Sequence, residues 1–267
     1  MPEWMLLVKL LVSILFVVTL SLIAERVSPR IAGLLSGYPL GAAIALFFFG
    51  IEIGTDFASR SAVYTMSGLA ATQFFVYVYY RVSSLYKRLS ILMSTIAAVS
   101  GYFIAIWLLH FIPLNRVGAA ALPLASIFGF VYLFRRIENV GVGRKIQLNA
   151  KVLFVRAVVA GISVVAITAA ARYVNTRWAG LFSAFPVTLL PLLVIVHYTH
   201  GIGAVHTVIK NFPHGLGALI IYALTVSIAY PIVGVYAGTA VSFGTATGYL
   251  LIYQKIRMSL YAAKKTV

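Results

Sequence analysis

Few residues in this chain of 267 have side chains suited to chemistry, and most of those come in pairs. The phrase "RIAGLLSGYP", Arg30 to Pro39, returns as "RWAGLFSAFP", Arg177 to Pro186, each time with a Ser and a Pro inside an otherwise apolar stretch. Proline removes one helical N–H donor and crowds the preceding turn, so Pro39 and Pro186 are expected to kink their helices and free carbonyls near positions 35 and 182. Ser36 and Ser183 set a hydroxyl, both donor and acceptor, beside each kink. Backbone groups freed inside a bilayer must meet protein, water or a ligand, so the two phrases could wall a central site or its gates. Close helix packing through small residues is the other reading, and the two are compatible.

The charged candidates are sparser still. Lys9 and Arg156 stand about a turn inside the first helix of each half, where a cation either draws in an anionic substrate or snorkels to the head groups. Glu52 and Asp56, in "GIEIGTD", lie beside a helix end and could couple transport to protons or cations; as plain outer-loop residues they would need no role. No acid falls at mid-depth of an apolar span, which counts against a proton pump. His197 and His200 share a helix face at i and i+3 and could relay a proton or bind a metal. Nothing nearby supplies a carboxylate or thiolate, so neither a metal nor a cofactor is expected. The chain has no cysteine, one aspartate, and no HExxH, GxSxG or phosphate-binding loop, so no enzyme is expected.

The elements that must position these residues are membrane helices. Hydrophobic residues make up 62% of the chain and charged ones 10%, too apolar a balance for a soluble domain. Stretches such as "LLVSILFVVTLSLIA" are apolar on all faces, which predicts helices rather than the alternating strands of a barrel. The expected fold is an all-α integral membrane protein with nine transmembrane helices, at 5–24, 31–51, 63–82, 90–110, 117–134, 154–173, 178–199, 213–233 and 236–254. The first could be taken for a secretory signal, but Lys9 sits inside it and no small-x-small cleavage site follows; it reads as a retained helix. Crossing in order, these helices leave 16 of the 21 Lys and Arg on one side. That bias predicts a cell (inner or plasma) membrane protein with its N-terminus outside and its C-terminus in the cytoplasm. The net charge of +16 is thereby spent on orientation, and no nucleic acid partner is expected.

Adding 147 to a residue number in the first half lands on its counterpart in the second. Six of the ten positions in the opening phrase are identical, and Gly54/Gly201, Gly68/Gly215 and Gly101-Tyr102/Gly248-Tyr249 follow at the same offset without a gap. Residues 1–111 form a first four-helix repeat, 112–151 a linker helix with a basic loop, and 152–267 a second repeat. An odd linker helix inverts the second copy, giving a 4+1+4 inverted-topology repeat.

The second copy, "VRAVVAGISVVAITAAARYVNTRWAGLFSAFPVTLLPLLVIVHYTHG", Val155 to Gly201, resembles the GlpM-like family of small four-helix inner-membrane proteins. The first copy is similar to it by "AGLLSGYP" and "GTDFASRSAVYTMSG". The resemblance implies a membrane location and a dimer-like architecture within one chain, with no substrate attached.

Inverted repeats are the usual build of secondary transporters, with substrate held between the repeats near mid-depth. The expected function is a secondary transporter or facilitator of a small, possibly anionic solute, with Ser36, Pro39, Ser183, Pro186, Lys9 and Arg156 as substrate-binding candidates and Glu52, Asp56 and His197 as coupling candidates. The expected partners are that solute and membrane lipids, and the oligomeric state is open. A lipid translocase, or a non-transporting scaffold or accessory subunit, are the alternatives.

Overall fold

The computed structural model describes residues 8–12, 14–15, 19, 29–86, 89–140 and 150–265, without the side chains of 150–153, 155–156 and 257–265. The described residues near the start of the chain, among positions 8–19, are helical. Eight labelled elements follow: α1 (Pro29–Leu35), α2 (Leu40–Glu52), α3 (Thr55–Leu85), α4 (Ser90–His110), α5 (Arg116–Phe134), α6 (Ala150–Ala170), α7 (Thr176–Ser183) and α8 (Leu189–Lys265). No strand occurs among the described residues, as expected of a chain whose backbone groups must be satisfied within each segment in lipid.

Four stretches are long and apolar enough to cross a membrane: Pro29–Glu52, Ser90–His110, Arg116–Phe134 and Leu189–Ile256. The last would run about 100 Å as one straight helix, roughly three hydrocarbon thicknesses. Instead it is interrupted at Gly201 and Gly234, both at φ 77° with extended ψ, a conformation open to glycine and costly for other residues. We call its parts α8a (189–200), α8b (202–233) and α8c (235–265). Across Gly234 the chain turns back on itself. Tyr230 bonds Thr239 at 2.7 Å, Thr225 bonds Thr245 at 3.0 Å, and Gly217 packs against the Tyr249 hydroxyl. Partners that diverge step by step in opposite directions define an antiparallel hairpin.

The α3 helix is the spine. It pairs antiparallel with α8b, since Ser59 donates to the Ser227 carbonyl at one end and Ser83 meets His206 at the other. It buries Met66, Leu69, Phe75 and Tyr79 completely, and docks α5 through the Gln73 amide, which reaches the Pro123 carbonyl at 3.2 Å and the Ser126 hydroxyl. Most hydroxyls on these helices bond carbonyls three or four residues back, as Thr65, Ser163 and Ser242 do, so they enter an apolar core without an orphaned donor.

Glycines permit the closest crossings. A β-carbon added to Gly180 in α7 would lie 2.1 Å from the Ser61 carbonyl oxygen of α3, and one on Gly33 in α1 would lie 2.4 Å from the Val208 carbonyl of α8b. Without the neighbouring packing partner a methyl is harmless: nothing stands within 4 Å of Gly129 on α5. Gly180→Ala is therefore expected to cost about 3 kcal/mol or more by forcing α7 off α3, whereas Gly129→Ala leaves stability unchanged or slightly raised. Thermal unfolding of the two variants in detergent checks this, and equal behaviour would refute the close crossing.

Candidate functional site

Two helix breaks meet in this structure, and the residues of the repeated phrase form them. The first break separates α1 from α2 over positions 36–39; the second separates α7 from α8a over 184–188. Both are built by the same backbone turn. Tyr38 N–H donates to the Leu35 carbonyl, Leu40 N–H to Tyr38 and Ala43 N–H to Pro39; in the second, Phe185 donates to Phe182, Val187 to Phe185 and Leu190 to Pro186. Proline explains the geometry. Lacking an N–H, it cannot continue the ladder, so the chain tightens before it and restarts with the proline carbonyl as the first acceptor of the next helix. The expected kinks are thus full breaks.

Freed carbonyls in the second break are covered by side chains from neighbouring helices. Thr72 of α3 donates to the Ala184 carbonyl at 2.7 Å, and Tyr102 of α4 donates to the Leu181 carbonyl at 2.6 Å. Ser183 donates to Gly180 at 2.7 Å, and its oxygen lies 2.7 Å from that of Thr65. In the first break Ser36 bonds back to the Ala32 carbonyl at 2.7 Å. The α8b residues Phe212, Gly215, Leu216 and Leu219 lie beside the first break or its cavity, and none brings a hydroxyl.

The two breaks line a single cavity of about 20 Å³, bounded by Ser36, Tyr38 and Gly41 on one side and Ser183, Pro186 and Thr188 on the other, with Thr72 between them. That volume holds about one water molecule. Among the described residues no charged side chain lines it. Its polar lining comes from the hydroxyls of Ser36, Tyr38, Thr72, Ser183 and Thr188 and from the backbone at the starts of α2 and α8a. Ser36, Ser183 and Pro186 are thus brought together, and Pro39, buried at the N-cap of α2, closes the first break behind them.

The other sequence candidates stand elsewhere. Lys9 neither snorkels nor faces the cavity. It is fully buried, 2.5 Å from Glu52 Oε1, and donates to Thr168 Oγ1 at 2.8 Å. Glu52 is not a loop residue: it ends α2, and its other oxygen takes Arg172 at 2.8 Å. A buried lysine is tolerable because a carboxylate shared with Arg172 compensates it. Asp56 is exposed and pairs with Arg60 one turn along α3. Arg156 falls in α6, and its side chain lies outside the described residues. His197 does not share a site with His200, whose Nδ1 meets Thr199; it sits between Tyr79 and Ser90. Among the described residues no group of three or more His, Asp or Glu could hold a metal.

Sequence reasoning missed Thr65, Thr72 and Tyr102. A signal was present: Ser61, Thr65, Gly68 and Thr72 recur every three or four residues along α3, a small and hydroxylated stripe at helical spacing that faces the second break.

Removing one partner of a buried ion pair strands the other charge, at about 3 to 5 kcal/mol. Glu52→Gln leaves Lys9 buried and unpaired and is expected to cost that much. Lys9→Met leaves Glu52 its bond to Arg172 and is expected to cost distinctly less. Paired unfolding curves check the order, and a larger loss for Lys9→Met would refute this assignment of the pair.

Compared with known proteins, the chain matches no protein-family model, no curated protein and no solved structure.

Proposed function

We propose that the protein is a secondary transporter or facilitator that moves a small solute by alternating access between two inverted repeats. One observation carries the reading: both helix breaks, 147 residues apart in sequence, wall the same small polar cavity. A discontinuous helix places dipole ends and free backbone groups inside a membrane, an expensive arrangement that transporters use to bind substrate near mid-depth. A cavity of about 20 Å³ is the occluded stage of such a cycle, and substrate enters when one repeat tilts from the other.

The repeat itself draws support from the geometry. At the offset of 147, the start of α1 at Pro29 corresponds to the start of α7 at Thr176, and Gly54 to Gly201, both with positive φ. The crossing of Gly180 on Ser61 corresponds to that of Gly33 on Val208. The contact of Ser59 with Ser227 corresponds to that of Tyr80 with His206, whose rings lie 4.7 Å apart. In this reading each broken helix packs against the long helix of the other repeat, so the halves interlock. The divided α8 then supplies three crossings, α1 and α2 together one, and the chain crosses nine times, with the N-terminus outside and the C-terminus cytoplasmic in the cell membrane. Each half is taken as a fused copy of a GlpM-like four-helix unit, a kinship that rests on the sequence phrases alone.

A lipid translocase is the second reading. An apolar groove of about 280 Å³, lined by Tyr102, Phe103, Phe182 and Phe185, lies beside the second break, and Phe185 walls both groove and cavity. The solute reading is preferred because the polar lining lies in the cavity between the breaks, whereas the groove is lined chiefly by apolar and aromatic residues.

Because the chain has no cysteine, one can be introduced on a clean background. Thr188→Cys, in the cavity, is expected to react with a membrane-impermeant maleimide applied from either side of sealed vesicles, as alternating access requires. Tyr173→Cys, 89% exposed, serves as the reactive control. Reaction from one side only, or from neither, would overturn the transport reading.

A further inference from the structure

Two histidines are hydrogen-bonded to opposite sides of one contact among α3, α4 and α8, joined through the backbone carbonyl of Ser83. Tyr79 OH lies 3.2 Å from His197 Nδ1, and His197 Nε2 lies 3.3 Å from Ser90 Oγ. Ser90 bonds the Ser83 carbonyl at 3.5 Å, and Ser83 Oγ lies 2.9 Å from His206 Nε2. The proton positions follow from the acceptors. Ser83 spends its hydroxyl hydrogen on the Tyr80 carbonyl at 3.0 Å, and Ser90 spends its own on the Ser83 carbonyl. With the serine hydrogens assigned in this way, each serine oxygen accepts from a histidine Nε2–H and Nδ1 of His197 accepts from the Tyr79 hydroxyl.

His197 also borders open space. Together with Ser90 and Thr95 it lines a cavity of about 580 Å³ between α4 and α8a, otherwise walled by aliphatic residues such as Leu92 and Val194. Thr95 stands beside Tyr79, and its hydroxyl oxygen is buried without a hydrogen-bond partner among the described residues. An idle acceptor beside a hydroxyl that is already donating elsewhere gives that hydroxyl a second position. Among the described residues, the titratable groups facing His197 are Tyr79 from α3 and, through Ser83, His206 from α8b; α4 presents only the hydroxyls of Ser90 and Thr95.

We propose that His197 is a proton-binding site and that the proton is the coupling ion of the transport cycle. One proton arrives from the α4/α8a cavity and bonds to His197 Nδ1, breaking the bond that nitrogen accepted from Tyr79. The Tyr79 oxygen then accepts from the new Nδ1–H, and its own O–H turns to Thr95 Oγ1. No other proton moves, and Ser90 holds Nε2–H in both states. The same rigid helix, α8a, begins at the second break and carries His197 two turns farther on, which links the proton site to the cavity wall.

The site rests on the hydrogen-bond geometry; only its naming as a coupling site rests on the transport reading, and the test separates the two. The full chain, labelled with 15N-histidine in lipid nanodiscs, is titrated by NMR without solute, with His197→Gln assigning the signal. The expected result is a neutral Nε2–H form at pH 8 that gains a proton by pH 5. Thr95→Val, which keeps side-chain shape, and Ser90→Ala should each move that transition to more acidic pH by removing a partner of the charged ring. A His197 that stays neutral throughout, or whose transition neither variant moves, overturns the proton site. Maleimide reactivity of Thr188→Cys is followed over the same pH range. It should change with the His197 transition and lose that change in the His197→Gln background. A cysteine that reacts independently of pH while His197 titrates overturns the coupling and leaves the transport reading standing.

Discussion

In hydrocarbon a backbone N–H or C=O without a partner costs several kcal/mol, and everything in this fold answers to that constraint. Plain helices meet it at no effort. The two broken helices violate it by design, and the structure compensates locally: Thr72 and Tyr102 cover carbonyls of the second break, and a repeated short turn covers most of the remainder. Such compensation needs neighbours at close range. The glycines at 33 and 180 supply it by letting α1 and α7 press directly on the backbones of α8b and α3. The residues of the repeated phrase therefore serve close helix packing and line a small polar cavity in the same arrangement.

Charge is handled by the same rule. Lys9, Glu52, Thr168 and Arg172 gather the buried ions of three helical segments into one compensated cluster near the end of α2, away from the cavity. The cavity is left with dipoles and hydroxyls alone. If the cavity takes a ligand, as the proposed transport reading has it, it would favour small molecules with few full charges. On the proposed reading, the energetic work of coupling then falls to groups outside the cavity, and the Tyr79, His197 and Ser90 network at the far end of α8a is the described cluster built for it.

Much of this was legible in the sequence. Apolar runs declared the helices, and prolines with flanking small residues marked both breaks, because Pro and Gly act through the local backbone and need no tertiary knowledge. What stayed hidden depends on contacts between distant segments. Glu52 looked like a loop acid because its partners Lys9 and Arg172 lie 43 residues before and 120 after it. His197 looked paired with His200 by spacing, yet its partners come from α3 and α4. Thr72 carried no motif, only a place in a hydroxylated stripe whose significance depends on what it faces. The all-helical class with membrane-length apolar spans was readable from one-dimensional pattern, whereas polar partnerships across the bundle were not.

The central claim is that the two ends of the bundle open in turn around the joined breaks, and distance distributions between spin labels test it most directly. One nitroxide pair sits at Asp56→Cys and Tyr173→Cys, near the Glu52 end; the other sits at Tyr86→Cys and Tyr198→Cys, at the opposite end of α3. In liposomes the account predicts two populations for each pair, with conditions that widen one end narrowing the other. A single narrow distance at both ends under all conditions would contradict it and leave a static helical scaffold.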